Sequence, residues 1–160
     1  MIYKLPIVLL ACVYLGVSII TLKTTPPPTT EDYAVQCGLE LDEFILFSSV
    51  VEAESNRQAP EDGELTTEGR VYIALTILCR QNDSRFPDTI TGVLTQRGQF
   101  STVVNGHSVT NRTSYSDAAI VEAYRRIEDG TAPEVLFFNC RGYFSGREPV
   151  AYVGGNYFSR

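Results

Sequence analysis

Apolar residues recur at helical spacing in three stretches of the chain, which together predict its main helices. Residues 42–55 carry apolar side chains around most of the helical circumference, as a central helix does. Residues 66–80 and 116–129 each carry one apolar stripe, which predicts two helices that pack by one face. A polar residue stands at the expected N-cap of each stretch: Asp42, then Thr66 or Thr67, then Ser116.

The pattern changes to short elements elsewhere in the second half of the chain. Pro87-Asp88 predicts a short helical turn that ends near Leu94, followed by a glycine-punctuated loop or strand over 96–107. Residues 135–139 form a β-like run, and the runs 149–153 and 156–159 flank Gly154-Gly155, which is typical of a hairpin turn. An order in which the main helices precede a small antiparallel sheet near the C-terminus predicts an α+β domain.

A continuous apolar run from Pro6 to Leu22 precedes this part of the chain. It is at the short end for a membrane-spanning helix and long for the core of a cleaved signal. We interpret residues 1–23 as a signal anchor, with a cleaved signal peptide or a buried helix of the domain as alternatives. Both the signal anchor and the cleaved signal peptide would place the domain outside the cytoplasm.

Residues 24–36 are rich in Pro and Thr, with three consecutive prolines at 26–28. Consecutive prolines favour an extended, semi-rigid spacer over packed structure. We therefore predict a linker over 24–36 and one folded domain over 37–160, a length that suits a single domain.

Composition excludes two classes of function. The net charge of −6 argues against a nucleic-acid partner, because neutralising phosphates requires clustered Lys and Arg. The only histidine is His107, which we interpret as a loop residue, and the sequence contains no Cys-x-x-Cys spacing. The sequence therefore predicts no metal site and suggests no other cofactor.

The cysteines leave two interpretations open. Cys12 lies in the apolar N-terminus, whereas Cys37, Cys79 and Cys140 follow it. A single bridge within this group of three is compatible with a compartment outside the cell. The odd number argues against a disulfide framework, however, so we favour free thiols, with Cys79 and Cys140 as small buried apolar residues.

Glu54 is the candidate for acid chemistry. On a helix it shares a face with Phe47, Val50 and Val51, whereas Glu52 points to nearly the opposite side. Apolar surroundings raise the pKa of a carboxyl group and can keep it protonated near neutral pH. The alternative is an ordinary carboxylate that enters solvent at a helix end. Asp88 is better explained as a helix cap, and Glu61, Asp62 and Glu64 as a solvated loop.

Four short phrases occur in an order and spacing that resemble a known family. They are Ala53-Glu54-Ser55, Ile77-Leu78-Cys79-Arg80, Phe86-Pro87-Asp88-Thr89-Ile90-Thr91-Gly92-Val93 and Gly98-Gln99-Phe100-Ser101. The chain resembles the SleB/CwlJ-type cell-wall hydrolases, the spore cortex-lytic group, over roughly residues 42–158. The resemblance implies a small lysozyme-like domain that cleaves peptidoglycan glycan strands with one essential Glu, here Glu54. It also implies that the domain acts at the cell wall, either anchored to the membrane or secreted.

The resemblance indicates a second part of the site in Gln99, Phe100 and Ser101. Gln and Ser can hydrogen-bond the N-acetyl group of a sugar, and Phe can pack on a sugar face. The alternative is a loop in which Gln99 only satisfies buried backbone. Phe137, Phe138 and Tyr143 either line the groove or, as we favour, belong to the core.

The sequence departs from the family at two places. Gly154-Gly155-Asn156-Tyr157-Phe158 carries Asn where the family often has His, and Ser55-Asn56-Arg57-Gln58 lacks the Gly-Glu that usually follows the essential Glu. These departures motivate the rival hypothesis of a catalytically inactive peptidoglycan-binding module on the same fold.

Overall fold

The computed structural model describes residues 26–55, 68–100, 102–104, 107–108 and 111–160. The described helices are α1 (Thr30–Gln36), α2 (Leu41–Glu54), α3 (Glu68–Gln81), α4 (Ile90–Thr95) and α5 (Ser114–Glu128). The described strands are β1 (Val103–Val104), β2 (His107–Ser108), β3 (Phe137–Asn139), β4 (Pro149–Val153) and β5 (Asn156–Ser159). The predicted α+β arrangement of three main helices and a late antiparallel sheet is confirmed.

The three long helices enclose the core. The buried face of α2 packs against α3 and α5, and α3 and α5 pack against each other. Helix α3 is buried along most of its length, which makes it, together with α2, a central element. Burial of each large apolar side chain contributes about 1.5–3 kcal/mol to folding. The largest fully buried apolar side chains are Phe44, Phe47, Ile73, Leu75, Ile77, Leu78, Ile90, Leu94, Ile120, Leu136 and Phe158.

The late strands form an antiparallel sheet in the order β3-β5-β4, with β5 in the centre. Gly154 and Gly155 join β4 to β5 with φ values of 57° and 76°, so the predicted two-residue hairpin turn is confirmed. The ring of Phe158 on β5 packs at a tilt against the rings of Tyr72 of α3 and Phe138 of β3, with centroids 5.1 Å and 5.7 Å away. These rings fix the sheet against the helical layer.

The domain begins before residue 37, contrary to the predicted linker boundary. Thr29 and Asp32 form a capping box that starts α1, in which each side chain accepts a hydrogen bond from the backbone N–H of the other. Helix α1 contacts α2 and α5 and buries Ala34. The three prolines dominate the local composition and obscured the capping signal immediately after them.

Three predicted caps are wrong by one to three residues. Glu40 rather than Asp42 precedes α2, and Thr89 rather than Asp88 caps α4 by accepting from the N–H of Gly92. Thr113 caps α5, and the predicted cap Ser116 is its partner in a capping box. In a capping box both residues bond the other's backbone, so either position looks like a cap in sequence.

Asp117 ties three helices together at one buried point. Its carboxylate accepts hydrogen bonds from Ser48 on α2 at 2.6 Å and Thr30 on α1 at 3.4 Å, and it pairs with Arg112 at 2.6 Å. Burial raises the pKa of Asp117, while the hydrogen bond from Ser48 and the charge of Arg112 oppose that rise. This cluster anchors α1 to the rest of the domain.

The predicted membrane anchor over 1–23 and the caps Thr66 and Thr67 lie outside the described residues. Among the helices of the described ranges, none has the length and apolarity to cross a membrane. Cys37, Cys79 and Cys140 are free thiols, as we favoured. Cys140 is nevertheless exposed rather than buried, because it follows β3 at the start of a surface loop.

Candidate active site

A cleft of about 470 Å³ opens between the C-terminal end of α2, the loop after α4 and the inner side of the sheet. Glu54 comes from the end of α2. Most of the other lining residues come from the loop after α4, from β3 and the loop that follows it, and from β5. Its lining combines aromatic rings with a few polar groups, as ligand sites commonly do. The lining residues are Glu54, Arg80, Gly98, Gln99, Phe100, Phe137, Phe138, Asn139, Cys140, Phe144 and Asn156.

Glu54 is the last residue of α2 and is half-buried at the wall of the cleft. Burial raises the pKa of its carboxyl group, and a hydrogen bond from Thr102 Oγ1 to Oε1 at 3.4 Å opposes that rise. The partial negative charge of a helix C-terminus also disfavours an ionised carboxyl group there. Glu54 is thus suited to donate a proton into the cleft.

Glu52 points away from the cleft, as predicted, and has a structural role. Arg70 donates to both of its carboxylate oxygens, from Nε at 3.0 Å and from Nη2 at 2.9 Å. The hydroxyl of Thr113, at the cap of α5, donates to Oε2 at 2.7 Å. Both charged side chains are buried. Glu52 therefore joins α2, α3 and the start of α5.

The loop after α4 brings two of its three predicted site residues to the cleft. Gln99 is exposed, and no described residue hydrogen-bonds its side chain, so it is available to a ligand. Phe100 lines the cleft with a ring that is only 5% exposed. Ser101 lies outside the described residues.

Residues Phe86–Val93 have a structural role: they form the start of α4 and support the wall of the cleft. Thr89 caps α4, and a Cβ atom at Gly92 would lie 2.7 Å from both Pro87 Cβ and Thr89 Oγ1. Only glycine fits there, because real Cβ atoms do not approach other atoms so closely. The ring of Phe86 lies 6.1 Å from that of Phe137 in the cleft wall.

Sequence reasoning missed several residues of the cleft. Arg80 was noted only as the end of a family phrase, and Asn156 only as a departure from the family. Phe137 and Phe138 line the cleft rather than belonging to the core alone, whereas Tyr143 is not among the lining residues. Asn139, Cys140 and Phe144 carried no signal for a site in the sequence, because only the packing of β3 and the path of the loop after it bring them to the cleft.

Glu54 is the only carboxylate among the described lining residues. Glu61, Asp62 and Glu64, interpreted above as a solvated loop, lie outside the described residues. Within the described ranges no group of three or more His, Cys, Asp or Glu side chains is placed to hold a metal ion. The chemistry of the described cleft is therefore that of one carboxyl group among amides, aromatic rings, one guanidinium group and the thiol of Cys140.

This fold is that of the SleB catalytic domain. The chain is similar to the crystal structure of the catalytic domain of the Bacillus cereus SleB protein, with a TM-score of 0.55 and 22% identity over 86% of this chain and 98% of that one. It is also similar to the catalytic domain of the germination-specific lytic transglycosylase SleB from Bacillus anthracis, with a TM-score of 0.53 and 20% identity over 85% and 100% of the two chains. No curated protein matches the sequence.

A family model for cell wall hydrolases matches residues 64–158, which is more than half of the chain. The protein belongs to this cell wall hydrolase family, as its sequence phrases predicted, and is an enzyme that acts on peptidoglycan. The matched region supplies most walls of the cleft but not Glu54, which α2 contributes from outside it.

Proposed function

We propose that this protein cleaves the glycan strands of peptidoglycan as a lytic transglycosylase, with Glu54 as its single general acid and base. The observation that carries the proposal is the half-buried carboxyl group of Glu54, whose pKa is raised by burial, in the wall of an aromatic cleft. Family membership supplies the polymer, and the lytic transglycosylase of Bacillus anthracis with a similar fold supports the reaction type.

The reaction needs one proton donor that later accepts a proton. Glu54 protonates the glycosidic oxygen as the bond to the anomeric carbon breaks, which releases the neighbouring sugar with a free hydroxyl. The C6 hydroxyl of the remaining sugar then attacks the anomeric carbon and gives its proton to the Glu54 carboxylate. The product is a 1,6-anhydro sugar, and Glu54 is again protonated. In simple hydrolysis a water molecule would replace the C6 hydroxyl.

The composition of the cleft favours this route over a mechanism with two carboxylates. Glycosidases of that kind place their carboxyl groups about 5–5.5 Å apart when retaining and about 6.5–9.5 Å apart when inverting. The described lining offers Glu54 and no second carboxylate. An intramolecular hydroxyl nucleophile removes the need for one, because it is already held next to the anomeric carbon.

The polar groups beside Glu54 suit the binding of a sugar chain. Gln99 presents a free amide at the rim, and Ser101 follows it in sequence. The rings of Phe137 and Phe144, 6.1 Å apart, provide apolar surface for sugar faces. We assign substrate binding to Gln99, Phe100 and Ser101, with these two rings as additional contacts.

Thr102→Val is expected to move the fall of activity at high pH to a higher pH. Glu54 must be protonated to act as an acid, so activity falls as the pH rises through its pKa. Thr102 donates a hydrogen bond to the carboxylate, which favours the ionised form and lowers the pKa. Valine has the same shape without the donor, so the pKa rises further.

A pH profile of kcat/KM for Thr102→Val and the wild type checks this prediction. Thr131→Val, which removes an exposed hydroxyl that donates to Arg126 O, is the matched control and should leave the profile unchanged. A shift of the Thr102→Val profile to lower pH would contradict the assignment of Glu54 as the acid.

The N-terminal segment is proposed to anchor the domain on the outer side of the membrane. The apolar run from Pro6 to Leu22 is nearly long enough to span, and no small-x-small cleavage pattern stands out after it. We expect the mature chain to remain with membranes and to begin near Met1, and intact-mass measurement on membrane-extracted protein checks this. A mature N-terminus between Leu22 and Glu31 would show that the segment is a cleaved signal peptide instead.

A zymogram tests the proposed activity itself. The full chain should clear a gel that contains purified peptidoglycan, and Glu54→Gln should not. A wild-type protein that binds peptidoglycan in a pull-down but gives no clearing would support the rival, a catalytically inactive binding module, for which Asn156 in place of the family His is the motive.

A further inference from the structure

Arg80 is a buried cation that lines the cleft, and none of the described carboxylates is its counter-ion. Its side chain is 5% exposed, and its Nε donates a hydrogen bond of 2.7 Å to the backbone oxygen of Leu136. No described residue accepts a hydrogen bond from its other two guanidinium nitrogens, and no described carboxylate pairs with it. The other buried charged side chains of the described ranges each form an ion pair. They are Glu52 with Arg70, and Asp117 with Arg112.

Three aromatic rings surround the guanidinium group without neutralising it. The rings of Phe86, Phe100 and Phe137 have centroids 5.1 Å, 5.8 Å and 5.8 Å from Cζ of Arg80. Burial lowers the pKa of Arg80 to about 10, so it remains protonated at neutral pH. A buried charge without a partner is costly, and the cost is recovered when an anion binds with good geometry.

Asn156 adds a second unpartnered donor to the same cleft. The residue is 3% exposed, and among the described residues its Nδ2 has no hydrogen-bond acceptor. A buried amide N–H without a partner costs about 1–3 kcal/mol, which is a reason to look for an acceptor that the protein alone does not supply. Arg80 from α3 and Asn156 from β5, each with N–H groups that no described residue accepts, thus both belong to the lining of one cleft.

We propose that Arg80 and Asn156 form a specificity site for the free lactyl carboxylate of a muramoyl residue, so that the enzyme prefers strands stripped of their peptides. This inference rests on the proposed function. A guanidinium group binds a carboxylate through two parallel N–H groups, which is the geometry that a counter-ion-free arginine can offer. On a peptide-free glycan strand, this carboxylate is the one anionic group that each disaccharide carries.

The depth of Arg80 favours a terminal group over a continuing peptide. With only 5% of its surface exposed, the side chain is accessible to the end of a substituent and not to a chain that passes across it. When a peptide is attached, the lactyl carboxylate becomes a neutral amide from which the chain continues. That form loses the charge and blocks the end-on approach.

The test compares three strand preparations of equal length: peptide-free strands, the same strands with the lactyl carboxylate converted to a methylamide, and peptide-bearing strands. The wild type is expected to use the carboxylate form about ten- to a hundredfold better than the methylamide form in kcat/KM, as for a charged hydrogen bond gained. Arg80→Met should bring this ratio close to one. Arg147→Met is the matched control, because Arg147 lies 4.0 Å over the same Phe137 ring but is exposed, and it should keep the ratio.

Asn156→Asp tests the site without touching the bond between Arg80 and Leu136. It replaces the unpartnered donor with a negative charge in the lining of the same cleft, which disfavours an anionic group there, so the preference for the anionic strands should disappear even if Arg80→Met fails to fold. Equal use of the carboxylate and methylamide strands by the wild type would overturn the inference. So would an Arg80→Met variant that is slower on both strands with the ratio unchanged, since that is the result of a scaffold role alone.

Two further outcomes separate this inference from the proposed function. A wild type that prefers peptide-bearing strands would place the anion on the peptide and overturn the lactyl assignment. If the wild type cleaves none of the strands, the proposed function fails. Titration calorimetry with the uncleaved strands then tests whether Arg80 and Asn156 bind the lactyl carboxylate. Tighter binding of the carboxylate strands, lost in Asn156→Asp, then supports the site, and equal binding overturns it.

Discussion

Glu54→Gln is expected to lower the rate of glycan-strand cleavage by about a hundredfold to ten-thousandfold, the usual contribution of a general acid and base. Glutamine keeps the shape of the side chain and the acceptor for Thr102 but cannot donate an acidic proton. The measurement is the initial rate of release of soluble fragments from purified peptidoglycan. Glu40→Gln, at the exposed start of the same helix, is the matched control and should retain the wild-type rate.

The same substitution is not expected to destabilise the fold. Burial raises the pKa of Glu54 in the folded state, so the folded protein binds the proton more tightly than the unfolded chain. The stabilisation that this provides is present at low pH and is lost as the pH rises through the raised pKa. At neutral pH Glu54→Gln should therefore be at least as stable as the wild type in urea unfolding. A Glu54→Gln variant that is unfolded at neutral pH would contradict this prediction, because its loss of activity would then follow from unfolding and not from the loss of the acid.

Glu52→Gln is expected to lower the free energy of unfolding by about 3–5 kcal/mol, because it removes the buried negative charge to which the guanidinium group of Arg70 donates two hydrogen bonds. In a domain of this size, such a loss lowers the melting temperature by on the order of 10 °C. Differential scanning calorimetry measures it directly. The effect is large because Glu52 joins α2 to α3 and, through Thr113, to the start of α5.

The double variant Glu52→Leu with Arg70→Met separates the ion pair from simple packing. Removing both charges leaves neither one buried alone, so the double change should cost less than Glu52→Gln. The fraction of Glu52→Gln that remains folded should cleave peptidoglycan at close to the wild-type rate. A folded Glu52→Gln variant as inactive as Glu54→Gln would show instead that Glu52 takes part in the chemistry.

Local patterns were sufficient to predict the elements whose apolar spacing is long and regular. The helices that became α2, α3 and α5, and the hairpin at Gly154-Gly155, follow directly from such spacing and from turn chemistry. Helix α1 was missed because seven residues give little periodicity, and because the prolines before it dominate the composition. The cap of α5 was displaced because the two members of its capping box, Thr113 and Ser116, are both plausible caps in sequence.

Contacts between residues distant in sequence could not be predicted from such patterns. Glu52 could be placed on the side of α2 away from Glu54, but nothing local indicated that Arg70, 18 residues later, would pair with it. Arg80 resembles any basic residue in the last turn of a helix, where arginine is common for the sake of the helix dipole. Only the fold shows that it is buried among three rings beside the cleft.

Only those residues of the candidate site that lie in family phrases could be predicted from the sequence. Glu54 and Gln99 were found because each lies in a phrase that the family shares, and the fold brings both to one cleft. Asn156 reaches the same cleft from β5, where side-chain alternation predicts a face of the sheet but not what lies opposite that face. Phe144 reaches it from the loop between β3 and β4, whose path no local pattern predicts.

The mass of the products released from purified, peptide-free glycan strands tests most directly whether Glu54 catalyses an intramolecular transglycosylation. The wild type should release fragments that end in a 1,6-anhydro sugar and are one water lighter than hydrolytic fragments, and Glu54→Gln should release them about a hundredfold to ten-thousandfold more slowly. Fragments that carry ordinary reducing ends, or anhydro products formed equally well by Glu54→Gln, would contradict the proposed mechanism.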